Sequence, residues 1–169
     1  MRILLVDLST YFSTSDSVRE YNVLEPPLGL MALLTHLNSK ENSDMINGKI
    51  IKSRIDFENL EELLTIVNDF QPNLIGFRAM TFYRKFFHDT VAYLRKNKIN
   101  LPIIVGGPYP TASWRELLED KNVDLAVIAE GELTLEEIAN KMIANNCELP
   151  PWHELNKVNG IAFHSDKLL

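Results

Sequence analysis

Apolar residues recur along this chain in two rhythms. Short runs come first: Ile3–Leu8, a weaker one in "KIIKSRIDF" (Lys49–Phe57), "NLIGFRAM" (Asn73–Met80), "LPIIVGG" (Leu101–Gly107) and "DLAVIAEG" (Asp124–Gly131). The last three are apolar nearly throughout, which suits strands covered by helices on both faces. Between the runs lie stripes at helical spacing. "PLGLMALLTHLNS" carries Leu30, Leu33, Leu34 and Leu37, and "ENLEELLTIVNDF" carries Leu60, Leu63, Leu64 and Val67 before Gln71-Pro72 ends it. "FYRKFFHDTVAYLRK" repeats the stripe through Phe86, Phe87, Val91 and Leu94. In "TLEEIANKMIA", Thr134 with Glu137 three residues later reads as a capping box.

Strand then helix, repeated, predicts an α/β fold with a parallel, right-handed, doubly wound sheet. Five strands in the flavodoxin-like, Rossmann-like order 2-1-3-4-5 are expected over residues 1–145. Residues 146–169 read differently. "NNCELPPWHELNKV" is irregular, and "NGIAFHSDKLL" reads as a strand, a turn and the beginning of a second strand. That C-terminal hairpin extension predicts a piece of a longer protein.

Composition narrows the class. At 169 residues, with 46% hydrophobic and 24% charged residues, the chain has enough apolar surface for one core. A net charge of −6 argues against nucleic acid as a partner, and no stretch approaches a membrane span. The single cysteine, Cys147, supplies neither an internal disulfide nor a thiolate cluster, and a cytoplasmic location fits it.

In an open α/β sheet, ligands bind beyond the carboxyl ends of the strands. Those positions hold Ser9, Thr10 and Tyr11; Ala79, Met80 and Thr81; Gly106, Gly107 and Pro108; and Glu130, Gly131 and Glu132. Most are small, hydroxylated or glycine, a smooth floor for a flat or extended ligand. Short turns between strand and helix use such residues too. "IIVGGPYP" poses the question sharply, because one glycine suffices for a turn and the chain has two.

"EPPLGLMALLTHL", "NLIGFRAMT", "IIVGGPYPTASWRELLE", "DLAVIAEGELTLEEIA" and "VNGIAFHSD" follow one another at characteristic distances. In these segments the chain resembles the N-terminal cobalamin (B12)-binding domain of cobalamin-dependent radical SAM enzymes, over nearly its whole length. The resemblance implies that Gly106, Gly107 and Pro108 border the cofactor's nucleotide tail, with Met80 and Thr81 in the same groove. It places Glu130, Gly131 and Glu132 beside the tail's base, and Pro26, Pro27, Leu28 and Gly29 near the corrin. Ser9 and Thr10 fall after the first strand. Cobalamin is the implied cofactor. A radical SAM catalytic domain in the same longer chain is the implied partner, and the implied reaction class is methyltransferase-like. S-adenosylmethionine and an iron–sulfur cluster would belong to that domain, because this chain lacks the three cysteines such a cluster needs.

Two departures shape the expectation. Relatives of the mutase type carry D-x-H-x-x-G after the first strand; here Asp7 is present, Ser9 replaces the histidine and Phe12 the glycine. Binding without a histidine ligand to cobalt is therefore expected, with no metal ligand and no catalytic residue in this chain. A degenerate module that binds no cobalamin and serves substrate binding or domain packing stays open. A receiver domain would need an acid after the third strand, where Phe77-Arg78-Ala79-Met80 has none; a flavodoxin would need glycine in "DLSTYFSTSD". His36, His88, His153 and His164 are scattered without ligand spacing. Arg78 and Arg84 flank the groove as possible phosphate partners, and Phe82, Tyr83, Phe86 and Phe87 are bunched at helical spacing.

Overall fold

The computed structural model describes residues 1–12, 25–39 and 43–164. The elements alternate as the hydrophobic rhythms predict. Strand β1 (Arg2–Asp7) is followed by α1 (Leu28–Asn38), β2 (Asn47–Lys52), α2 (Leu60–Phe70) and β3 (Leu74–Arg78). Then come α3 (Arg84–Lys96), β4 (Ile103–Gly106), α4 (Pro108–Leu117), β5 (Leu125–Val127), α5 (Glu132–Ala144), the short α6 (Trp152–Leu155) and β6 (Ile161–Ala162). The sheet order is β2-β1-β3-β4-β5-β6, so the expected 2-1-3-4-5 core gains a sixth strand. β1 through β5 pair in parallel, whereas β6 runs antiparallel against β5.

The strands are buried on both faces because their side chains alternate between two helix layers. Ile3 and Leu5 of β1 meet Leu30 and Leu37 of α1 and Leu135, Ile138 and Met142 of α5. Leu4 and Val6 meet Leu63 and Val67 of α2, Phe87 and Val91 of α3, and Leu117 of α4. The order of the strands reverses direction between β1 and β3, and a crevice opens there at the carboxyl edge.

Local chemistry sets the element ends. Asn59 caps α2 by accepting from the Glu62 N–H at 2.8 Å, and Gln71 closes the helix in the left-handed region at φ 48°. The expected capping box at Thr134 is not formed. α5 starts earlier, after Gly131, and the buried Thr134 hydroxyl donates to the Asn159 carbonyl at 3.0 Å. The second strand also ends earlier than expected, at Lys52. Beyond it a turn through Arg54, at φ 71°, returns to a single bridge between Ser53 and Phe57.

The segment after residue 145 packs against this core. Leu155 and Val158 are buried in the α1/α5 layer, Trp152 packs beside them, and its ring lies 5.1 Å from that of Phe163. "NGIAF" supplies β6 of the main sheet, and the expected partner of its hairpin lies outside the described residues. The joint is Gly160, at φ 77°, whose carbonyl accepts from the Ile128 N–H at 2.8 Å. A Cβ on Gly160 would stand 2.9 Å from the Thr134 hydroxyl oxygen. Gly160→Ala is therefore expected to destabilise the chain by about 1–3 kcal/mol, lowering the melting temperature by several degrees. Thermal denaturation followed by circular dichroism measures it; an unchanged melting temperature would show that this joint tolerates a side chain.

Candidate functional site

The register of the sheet builds the site. In the pairing of β1 with its neighbours, Asp7 stands opposite Lys52 of β2 and opposite Arg78 of β3, and Arg78 stands opposite Gly106 of β4. These four residues form one row, the last of the sheet at its carboxyl edge. By the alternation of strand side chains, the row faces the α1/α5 layer, one step beyond Leu5, Gly76 and Ile104. The row is polar at one end and bare at the other.

The polar end is a pit of about 420 Å³ bordered by Asp7, Ser9, Thr10, Lys52, Arg78 and Met80, with Glu25 to Gly29 and Tyr83 around it. The Asp7 carboxylate is fully buried. It accepts from Lys52 Nζ at 3.1 Å, from the Ser9 N–H at 2.8 Å and from Arg78 Nη1 at 3.4 Å. Lys52 also donates to Ser9 Oγ at 2.5 Å. The Ser53 hydroxyl donates to the Thr10 carbonyl at 2.6 Å and fixes the loop after β1. A buried charge this well partnered is held in place, since losing one partner would leave another charge stranded.

The bare end is an apolar slot of about 160 Å³ between α1 and α5. Gly29, Gly76, Gly106, Gly107 and Gly131 all line it, five of the seven glycines in the chain. A Cβ on Gly29 would meet nothing within 4 Å, and one on Gly106 only Val127 at 3.8 Å. At these two positions the missing side chain leaves open space, not a filled core. Leu5, Ile104 and Val127 form the floor, while Leu30, Leu33 and Leu135 come from the flanking helices. His36 on α1 and Glu136 on α5 meet at 2.7 Å and tie those two helices together. Slot and pit share Gly29 and Arg78, so they are two arms of one site.

Gly107 has a different task from its neighbour. It sits at φ 100°, and a Cβ there would lie 3.1 Å from the Ala79 carbonyl oxygen and 3.4 Å from Arg78 Cγ. A side chain at Gly107 therefore points at the turn after β3. That turn is stitched down: the Ala79 N–H donates to the Gly106 carbonyl at 2.9 Å, and the Tyr109 N–H donates to the Ala79 carbonyl at 3.0 Å. Tyr109 is buried, which pushes its phenol up, so it stays protonated and pairs with His88 at 3.1 Å; His88 in turn meets Asp120 at 2.6 Å. This chain of contacts holds the glycine turn from behind.

Most of the residues expected from the sequence come together here. Ser9, Thr10, Pro27, Leu28 and Met80 border the pit, Gly29 borders both arms, and Gly106, Gly107, Glu130, Gly131 and Glu132 border the slot. Thr81 and Pro108 do not line either arm; both are exposed, at the heads of the turn before α3 and of α4. Sequence reasoning missed Lys52, because a strand drawn on to Phe57 hides that this lysine is its last residue. Arg84 pairs with Glu116 at 3.5 Å instead of facing the site. Leu28, on the border of the pit, is exposed, as are Met31 on α1, Leu133 on α5, and Phe82 and Tyr11 after β3 and β1. Among the described residues, no group of His, Cys, Asp and Glu is arranged to hold a metal ion, and no helix is long and apolar enough to cross a membrane.

Known proteins share this architecture. The chain is 32% identical over 143 residues to an anaerobic magnesium-protoporphyrin IX monomethyl ester cyclase of Synechocystis, covering 84% of this chain and 27% of the cyclase. It is 30% identical over 146 residues to an uncharacterized methyltransferase of Pyrococcus horikoshii, covering 84% of this chain and 29% of that protein. Among solved structures, the cobalamin-dependent S-adenosylmethionine radical enzyme OxsB, with aqua-cobalamin and S-adenosylmethionine bound, superposes with a TM-score of 0.71 at 18% identity, over 98% of this chain and 21% of that one. The radical S-adenosylmethionine methyltransferase TsrM of Kitasatospora setae gives 0.72 at 14% identity, over 98% of this chain and 29% of that one. At such identities the likeness is one of fold, and the chain spans less than a third of the length of any of these proteins. The B12-binding domain model matches residues 16–139, well over half of the chain, and on that match this chain belongs to the B12-binding domain family.

Proposed function

We propose that this chain binds cobalamin, with the nucleotide tail in the glycine-lined slot and the corrin across the mouth of the polar pit. The observation that carries the reading is the convergence of five glycines on one slot, with open space where the Cβ atoms of Gly29 and Gly106 would stand. A bare backbone over an apolar floor suits a bulky, largely apolar group lying against the sheet. The exposed Leu28 on the border of the pit, with Tyr11 and Phe82 against Tyr83, offers an apolar seat for the edge of a wide macrocycle.

Cobalt takes no histidine from this chain in this reading, because none borders the slot or the pit. Bound cobalamin would supply a cobalt centre able to carry a methyl group, and the protein's part is to position the cofactor and exclude water. The domain serves a radical SAM catalytic domain of a longer chain, methyltransferase-like in reaction, which brings its own iron–sulfur cysteines and S-adenosylmethionine. The relatives' greater length supports this, as does the single cysteine here. That lone thiol also suits a reducing, cytoplasmic setting. Residues 1–145 are the binding unit, and residues from 146 onward lead toward the catalytic domain.

Titration with hydroxocobalamin, followed in the visible spectrum, tests the reading. The chain is expected to perturb the cobalamin spectrum saturably, and Gly106→Val to weaken binding at least tenfold while the fold persists, because its side chain enters the slot. Gly107→Val should instead cost about 1–3 kcal/mol of stability, since it combines a positive φ with a clash against the Ala79 carbonyl. A folded chain that leaves the spectrum of free cobalamin unchanged would be a degenerate module, kept for substrate binding or domain packing. Binding that survives Gly106→Val unchanged would put the ligand elsewhere.

A further inference from the structure

On the floor of the pit, among the described residues, the charge is not balanced, which matters if cobalamin sits as proposed above. Asp7 contributes one negative charge with no exposure, while Lys52, 5% exposed, and Arg78, 30% exposed, contribute two positive ones. Arg78 reaches Asp7 through Nη1 alone, at 3.4 Å from each oxygen, and its guanidinium borders both arms of the site. Lys52 donates to Ser9 Oγ, so the Ser9 hydroxyl hydrogen must turn away from the lysine. Four acids stand further out among the described residues: Glu130 and Glu132 border the slot, which Arg78 also borders. Glu25 lies on the exposed rim, where water screens it, and the exposed Asp56 is engaged with the Lys52 backbone N–H at 2.8 Å. Immediately around Asp7, among the described residues, the floor therefore carries two cations against one anion. An ammonium and a guanidinium have no lone pair to give a metal.

We infer that this cationic floor sets the redox balance of a corrinoid seated over it, favouring the lower oxidation states of cobalt, and does so without ligating the metal. Reduction of cobalt(II) to cobalt(I) removes one unit of positive charge from the corrin. A fixed positive charge close to the corrin favours the less positive form. A ligating imidazole would act in the opposite sense, because it donates electron density to the more oxidised metal. The replacement of that histidine by Ser9, and the placing of Lys52 and Arg78 on either side of Asp7, then work in one direction.

The test loads the 169-residue chain with hydroxocobalamin and reads the cobalt(II)/cobalt(I) midpoint potential by visible spectroelectrochemistry. Arg78→Gln and Lys52→Met each remove one positive charge. Each is expected to shift the reduction equilibrium at least tenfold against cobalt(I), about 59 mV toward negative potential for one electron. Lys85→Met, at a site 82% exposed on α3 and outside both arms, should leave the potential where it is. Circular dichroism checks each fold. Should Lys52→Met unfold, Arg78→Gln decides alone, because it leaves the Asp7–Lys52 pair intact. Bound cobalamin whose potential is unmoved by Arg78→Gln, or moved upward, overturns this inference and leaves the cobalamin reading standing. A wild-type chain that binds no cobalamin overturns both.

Discussion

Asp7 is a carboxylate with no access to water, set between two cations at the sheet's carboxyl edge. An uncompensated charge there would be severely destabilising, and removing one partner of a buried pair costs about 3–5 kcal/mol. The partners come from the two strands that flank β1, at the same register position. A slip of β2 or β3 by one residue would turn Lys52 or Arg78 to the other face and strand the charge. The ion cluster thus makes the alignment of β2, β1 and β3 specific, even where its net contribution to stability is small.

The same row explains where a ligand can go. Below it the sheet is apolar on both faces and closed by helices, so there is no room and nothing polar to recognise. At the row the side chains change from Leu5, Gly76 and Ile104 to Asp7, Arg78 and Gly106. The loss of a side chain at Gly106 and the appearance of charge at Asp7 occur on β4 and β1, the two strands that flank β3. His36 and Glu136 hold α1 against α5 over the bare end, while Tyr109, His88 and Asp120 brace the glycine turn from the other side. The site is rigid because its floor and walls belong to the core.

Periodicity made most of this legible. The buried strands and the helix stripes at Leu63 and Val67, or at Phe86, Phe87, Val91 and Leu94, follow from burial alone, which the sequence encodes directly. The misread places are those where a tertiary partner decides. Thr134 looks like a cap, but its hydroxyl is claimed by Asn159, twenty-five residues on. Lys52 looks like an interruption in a weak strand, and only pairing with β1 shows it to be a counter-ion. Gly106 and Gly107 look equivalent in the sequence. Their division of labour, one facing the slot and one at φ 100° against the Ala79 carbonyl, depends on the turn after β3, which no local pattern reports.

The two arms also restrict what kind of molecule fits. A small anion such as free phosphate would find cations in the pit, yet it would leave the slot, with its leucine and valine lining, unused. A purely apolar ligand would fill the slot and leave the excess charge around Asp7 facing it without compensation. Because Gly29 and Arg78 border both arms, a ligand that uses the whole site must pass them, with an apolar end on one side and a polar body on the other. A nucleotide tail ending in an aromatic base, joined to a wide macrocycle, has that division of character. In the proposed cobalamin reading, the absence of side chains at one end of the row and the cations around Asp7 at the other are complementary halves of one recognition surface.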